Sequence, residues 1–243
     1  GGGGVTRSST STLAVESAKP NETVEGAPIW VYESLGNGFF WIDCVSISTN
    51  GQSIASASYI QDGRGGYVTL FSRDSSVPIW RYRANENLQS LSISDDGDYI
   101  LAGGDYHEAY LFDKKKPTPI MTYQIDEPIL ATDISGNGAY ISLGSIHFSV
   151  LSKWSNTPSW EDTSGGQISS LAFSSDGKYL AVRDFGGHVD LYEAESSRWV
   201  QRSESGDDLY GAGTLSFSDD GNLLVSSNGG EDNFLYLFKR GSG

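Results

Sequence analysis

The chain has 243 residues, 37% of them hydrophobic and 19% charged, and its thirty glycines and thirteen tyrosines indicate a folded domain with many turns rather than general disorder. The formal net charge of −15 argues against nucleic acid and anionic lipid as partners, because an acidic surface repels phosphate. The single Cys44 excludes an internal disulfide, and no apolar run approaches the length of a membrane span.

The first 27 residues are rich in Gly, Ser and Thr, which predicts a linker or stalk before the folded domain. Within this stretch, Asn21 begins the glycosylation sequon Asn-Glu-Thr. The folded domain is predicted over residues 28–240, and residues 241–243 form a short tail. An apolar segment with Trp30 opens the domain and precedes the first hairpin.

A hairpin pattern then recurs five times along the chain. Each copy has alternating apolar residues, an Asp-Gly or Asn-Gly pair and a second apolar strand, as in LSISDDGDYILAGG from Leu91. Asx-Gly pairs are a strong hairpin signal because the turn requires positive φ angles. The glycines of these pairs mark the repeat; they are Gly51, Gly97, Gly138, Gly177 and Gly221. Successive marker glycines are 46, 41, 39 and 44 residues apart.

Two further strands follow most of these hairpins. The third strand recurs as YVTLF from Tyr67 and HVDLY from His188, and the fourth is marked by tryptophan, as in Pro-Ile-Trp80. Four strands in about forty residues are typical of a β-propeller blade. We predict an all-β propeller of five four-stranded blades, closed by pairing the strand near Trp30 with the last three strands over 213–239. The alternative is a segment of a six- or seven-bladed ring.

The run GGYVTLFSRDSSVPIWRYRANENLQSLSISDDGDYILAGG, from Gly65 to Gly104, resembles the WD40-like and quinoprotein-like propeller repeats of prokaryotic proteins. Similar repeats cover about residues 28–240. The resemblance implies that the recurring tryptophans pack between blades, with Met121 as a substitute; they are Trp30, Trp80, Trp160 and Trp199. No blade carries both the Gly-His and the Trp-Asp dipeptides of true WD40 repeats, so the resemblance implies a fold and a general binding role, and no cofactor or catalytic residue.

Two sets of side chains are candidates for chemistry at the mouth of the central channel. Carboxylates on the loops before the innermost strands could perform glycan hydrolysis as an acid and base pair; the candidates are Asp43, Glu86, Asp126, Glu127, Asp207 and Asp208. The three histidines, His107, His147 and His188, occupy similar repeat positions on separate blades, so we expect no shared metal site.

Aromatic residues and one arginine are predicted on the same face. Such residues are common anchors for protein or glycan ligands; here they are Phe39, Phe40, Trp41, Tyr59, Arg64, Tyr106 and Tyr210. Phe40 and Trp41 could instead plug the channel or pack between blades.

These features predict a non-catalytic binding scaffold that recognises protein or glycan through its loop-rich face. We expect an extracellular or cell-surface location, with the cytoplasm as the alternative. The alternative functions are a glycan-acting hydrolase and a structural subunit of a surface assembly.

Overall fold

The computed structural model describes residues 27–33, 40–60, 65–163, 166–204, 213–227 and 234–240. These residues form nineteen β-strands and no α-helix, so the all-β prediction is confirmed. Several predicted positions lie outside the described residues: Asn21, Phe39, Arg64, Asp207, Asp208 and Tyr210. Phe40 is described as part of a strand, but its side chain is not.

The strands form five antiparallel sheets in chain order, which we call blades 1 to 5. Blade 1 contains β1 (Phe40–Ile47), β2 (Ser53–Ile60), β3 (Gly66–Ser72) and β4 (Trp80–Ala84). Blade 2 contains β5 (Leu88–Ile93), β6 (Tyr99–Gly104), β7 (Glu108–Asp113) and β8 (Met121–Gln124). Blade 3 contains β9 (Ala131–Ile134), β10 (Tyr140–Gly144), β11 (Phe148–Ser152) and β12 (Trp160–Asp162). Blade 4 contains β13 (Ile168–Phe173), β14 (Tyr179–Asp184), β15 (His188–Glu193) and β16 (Trp199–Glu204). Blade 5 contains β17 (Leu215–Phe217), β18 (Leu223–Ser227) and β19 (Leu235–Lys239).

The first hairpin of every blade has the same hydrogen-bonded turn. In blade 2, the Ser94 hydroxyl donates to Asp96 at 2.6 Å and accepts the Tyr99 N–H at 3.0 Å, while Asp96 accepts the Asp98 N–H at 2.9 Å. Gly97 follows with a φ of 73°, in the left-handed region that glycine adopts without strain. The other blades repeat the serine-to-Asx bond as Ser48–Asn50, Ser135–Asn137, Ser174–Asp176 and Ser218–Asp220. The predicted turn is therefore present in all five blades.

Neighbouring blades pack through their innermost strands and bury apolar side chains between them. β5 lies beside β1, β9 beside β5, β13 beside β9 and β17 beside β13. The core between blades 1 and 2, for example, includes Leu70, Leu88 and Ile100, all fully buried.

Three tryptophans each bond to the blade that follows them in the chain. Trp80 is buried and donates its indole N–H to the Lys114 carbonyl at 2.7 Å, and its ring lies 5.3 Å from that of Phe112. Trp160 donates in the same way to the Ala194 carbonyl at 2.7 Å. Trp30 repeats the arrangement on blade 1, where it donates to the Arg73 carbonyl at 2.6 Å. The segment around Trp30 is therefore docked like the fourth strand of a preceding blade.

Trp199 does not follow this pattern, contrary to the sequence prediction. In blades 1 and 3 the tryptophan pairs with Leu70 or Val150, but in blade 4 Gln201 occupies the equivalent place opposite Leu191. A register shift puts Trp199 opposite Tyr192, where it is exposed and bonds to Asp190 of its own blade at 3.3 Å. The displacement of two residues explains why the indole does not reach blade 5.

The described blades form an open arc. Residues 27–33 are not in a β-strand, blade 5 has three strands, and among the described residues β17 does not pack beside β1 as the other innermost strands pack together. The predicted five-bladed closure is therefore not confirmed.

Both end faces of this arc carry exposed apolar side chains. Leu237 is 68% exposed, whereas Leu70 and Leu111, at the same position of blades 1 and 2, are fully buried. At the other end, Ile47 is 61% exposed, whereas the equivalent Ile93 of blade 2 is 8% exposed. Positions that are core between blades are thus open to solvent at both ends.

Candidate binding face

One edge of the blades carries the turns between second and third strands and the loops that lead into the innermost strands. We call this edge the loop face; it includes residues 85–87, 105–107, 125–130, 145–147 and 185–187. Here Trp41 pairs directly with Tyr59 across the first hairpin, and their rings stack at 6.3 Å with an interplanar angle of 9°. Trp41 is 51% exposed, and Tyr106, on the equivalent turn of blade 2, is 59% exposed. The structure therefore presents Trp41 and Tyr106 to solvent on hairpins, and Tyr59 lies half-buried beneath Trp41.

Glu86 supports the Tyr106 turn from within blade 2. Its carboxylate is buried and accepts the N–H groups of Tyr106 at 2.5 Å and Glu108 at 3.0 Å, together with the Tyr110 hydroxyl at 3.3 Å. Burial raises the pKa of Glu86, and the Tyr106 N–H bond opposes this rise. Gly104 permits this arrangement, because a Cβ there would lie 2.3 Å from the Glu86 carboxyl carbon. Glu86 thus acts in this structure as a support for the turn.

The other predicted axial carboxylates are dispersed. Asp43 is exposed at a bulge in β1, whereas Asp126 and Glu127 line a cleft between blades 2 and 3. No three His, Cys, Asp or Glu side chains in the described part of the chain are grouped so that they could hold a metal ion. Among the predicted carboxylates that the structure describes, only the sequence neighbours Asp126 and Glu127 share a site.

Asp133 is an inner-ring carboxylate that the sequence analysis missed. It lies on β9, accepts the Ser92 hydroxyl of β5 at 2.7 Å and accepts the Phe173 N–H of β13 at 2.6 Å. One side chain therefore connects the innermost strands of three blades. Burial raises its pKa to about 6, although these hydrogen bonds favour the ionised form. The signal was an Asp within an apolar strand, at the position where blade 2 has Ser92.

We expect Asp133→Asn to stabilise the protein at pH 7.5 by about 1 to 3 kcal/mol, because the amide removes a buried charge and keeps an acceptor for Phe173. The folded pKa of about 6 lies above the ordinary value of 3.8, so ionisation costs stability as the pH rises between these values. The gain should therefore vanish near pH 3.5. Urea unfolding at both pH values would measure it, with the exposed Asp219→Asn as the charge-matched control. A less stable Asp133→Asn protein at pH 7.5 would contradict this expectation.

A second polar network joins blades 3 and 4. The Tyr192 hydroxyl donates to Asp162 at 2.7 Å, and Arg202 holds Asp190 through two bonds of 2.8 and 2.6 Å. His188 Nδ1 lies 2.9 Å from Asp184, within the same blade. Most of these side chains line the space between the outer strands of blades 3 and 4, and the bond from Tyr192 to Asp162 joins the two blades.

The comparisons with known proteins agree with the fold. The sequence profile of the anaphase-promoting complex subunit 4 WD40 domain matches residues 150–220. A chain in the crystal structure of a mitotic checkpoint complex superposes with a TM-score of 0.72 at 15% identity, over 83% of this chain and 64% of that chain. The β-propeller domain of Cps50 (Swd1) from Myceliophteria thermophila superposes with a TM-score of 0.67 at 15% identity, over 84% of this chain and 66% of that one. No curated protein matches the sequence.

The chain therefore has a β-propeller fold, and residues 150–220 resemble a WD40 domain. It covers slightly less than two thirds of each of these two solved chains. No helix in the described part of the chain is long and apolar enough to cross a membrane.

Proposed function

We propose that this protein is a non-catalytic scaffold that binds protein partners through its loop face. The observation that carries the proposal is the pair of exposed aromatic residues Trp41 and Tyr106, which are held on hairpins rather than on long loops, with the half-buried Tyr59 stacked against Trp41. Aromatic side chains with few rotatable bonds lose little entropy when they are covered, and they dominate binding energy at protein interfaces. The similar chain from the mitotic checkpoint complex, which is part of an assembly, supports a partner of this kind.

The charge of the chain further defines the partner. With 31 acidic and 16 basic residues, the surface attracts a basic polypeptide and repels an acidic one. Part of the affinity should therefore fall as the salt concentration rises, whereas the contribution of Trp41 should persist.

A peptide-display selection on the purified chain would test this proposal. We expect selected binders to lose affinity on the order of 10- to 100-fold for Trp41→Ala, since a central aromatic anchor contributes a large share of binding energy. Trp154→Ala is the matched control, because Trp154 is also exposed but lies in the loop between β11 and β12, on the opposite edge. Equal losses for both variants, or no loss for Trp41→Ala, would contradict a site on the loop face.

Glycan is a second candidate ligand, favoured by the parallel stacking of Trp41 and Tyr59. Exposed, ordered aromatic faces can pack against the apolar face of a sugar ring. A glycan array probed with the native chain and with Trp41→Ala would distinguish this ligand from a protein, since a glycan site would give array signals that disappear in the variant.

A further inference from the structure

A cleft of about 360 Å³ lies between the outer strands of blades 2 and 3. β8 of blade 2 forms one wall, and β11 and β12 of blade 3 form the other. Its floor is apolar and comprises the buried Tyr123, Leu143 and Leu151.

The cleft exists because blade 3 carries smaller side chains where its neighbours carry larger ones. The strand registers show that Ser149 is equivalent to Tyr110 of blade 2 and to Asp190 of blade 4. Leu151 is likewise equivalent to Phe112 and Tyr192. Aromatic rings occupy the corresponding space at the junction of blades 1 and 2, and Tyr192 and Asp190 leave only a smaller pocket at the junction of blades 3 and 4.

The fourth strand of blade 2 also carries a smaller side chain than the equivalent strands of blades 1 and 3. Met121 stands where Trp80 and Trp160 stand in their blades. The tryptophan bond to the next blade is replaced here by Tyr123, whose hydroxyl donates to the Lys153 carbonyl at 3.4 Å. Three positions that are bulky or charged elsewhere in the repeat, Ser149, Leu151 and Met121, thus carry smaller or uncharged side chains at this junction.

The rim of the cleft is acidic. Asp126, Glu127 and Glu161 line it, and Ser149 donates to Glu161 at 3.0 Å. None of the lining residues that the structure describes is Lys or Arg. His147 also lines the cleft, and its Nδ1 is buried without a hydrogen-bond partner among the described residues.

We propose that this cleft binds one lysine or arginine side chain of a protein partner. The aliphatic stem would pack on Leu143, Leu151 and Tyr123, and the cationic head would face the carboxylates at the rim. Lysine and arginine have this division between an apolar stem and a charged end. The proposal rests on the proposed scaffold function and names the chemistry by which the scaffold selects a basic partner.

The probe for this site is the capped tripeptide acetyl-Gly-Arg-Gly-amide, titrated by NMR into the full chain with labelled leucine methyl groups. We expect saturable shifts of Leu143 and Leu151 with a dissociation constant on the order of 1 mM, which is typical of a single side chain. The citrulline analogue has nearly the same shape and no charge, and it should bind at least tenfold more weakly. Absence of saturable arginine binding, or equal binding of citrulline, would overturn the proposal.

Two variants locate the binding. Ser149→Tyr fills the cleft with the residue that blade 2 carries at this position, and it should abolish the shifts while thermal melting shows a folded chain. Glu161→Gln changes only an exposed rim carboxylate, and it should weaken binding about tenfold even if Ser149→Tyr does not fold. Glu195→Gln removes the same charge from a separate cleft between blades 3 and 4 and should leave binding unchanged. An equal loss for Glu195→Gln would show attraction to overall charge and overturn the proposed site.

The two proposals can fail separately. Display-selected binders that lose affinity with Trp41→Ala but not with Ser149→Tyr would leave the loop-face function standing and overturn the cleft as a partner site. Binders that lose affinity for both the Ser149→Tyr and the Glu161→Gln variants, and that contain an essential basic residue, would support the cleft as a partner site.

Discussion

Trp80→Ala should destabilise the chain by about 3 to 5 kcal/mol, the range for removing a large buried aromatic side chain. The substitution removes the ring that packs on Phe112 and the bond to the Lys114 carbonyl, and it leaves a cavity between blades 1 and 2. For a domain of this size the melting temperature should fall by roughly 10 °C. Differential scanning calorimetry and urea unfolding would measure the change.

Trp199→Ala is the matched control for this prediction. Trp199 is also a fourth-strand tryptophan, but it is exposed and does not reach the next blade. Its replacement should therefore change stability by less than about 1 kcal/mol. A large effect for Trp199→Ala, or a small one for Trp80→Ala, would contradict the assignment of Trp80 as the residue that joins two blades.

The second large effect on stability is expected at a repeat position that is buried between blades 2 and 3 but exposed on blade 5. Leu111→Ser should destabilise the chain by about 3 to 5 kcal/mol, because it removes buried apolar volume between blades 2 and 3 and buries a hydroxyl. Leu237→Ser, at the same position of blade 5, should change stability by no more than about 0.5 kcal/mol, because this leucine faces solvent. Binding of an apolar dye should also fall in the Leu237 variant.

The same pair of variants tests how the ring is completed in solution. If the strand near Trp30 closed a five-bladed ring by pairing with β19, Leu237 would be covered. Leu237→Ser would then cost several kcal/mol, in the range expected for Leu111→Ser. Unfolding curves for the two variants therefore decide between an open end face and a closed ring.

The repeat and its turns could be predicted from the sequence because their determinants are local. A positive φ at Gly97, an Asx side chain one residue earlier and a serine two residues before that specify the hairpin within a few positions. The tryptophan markers could be assigned for Trp80 and Trp160 because the register of their strands is regular. Residue pattern alone therefore predicted the five hairpins and the four-stranded sheets of blades 1 to 4, whereas a fourth strand for blade 5 is not confirmed.

The remaining features depend on contacts between blades, which a single repeat does not encode. Trp199 has the expected residue type, but a bulge moves it out of register. Glu86 was predicted as an axial carboxylate, yet its oxygens are occupied by N–H groups of the neighbouring turn. Asp133 acts through strands of two other blades. The cleft at Ser149 becomes visible only when equivalent positions of successive blades are compared. The extracellular location and glycan recognition stay predictions.

The self-contained turn of each hairpin has a consequence for how such a chain can diversify. Serine precedes the marker glycine by three residues in all five copies, while the spacing between copies varies from 39 to 46 residues. Length changes are thus confined to the connecting segments, and the hydrogen bonds that start each sheet are untouched by them. A repeat of this kind can be copied in tandem with its folding signal included, and its loops can then acquire different surfaces. Within each repeat of about forty residues, the turn specifies the fold, and the connecting loops are free to vary the binding surface.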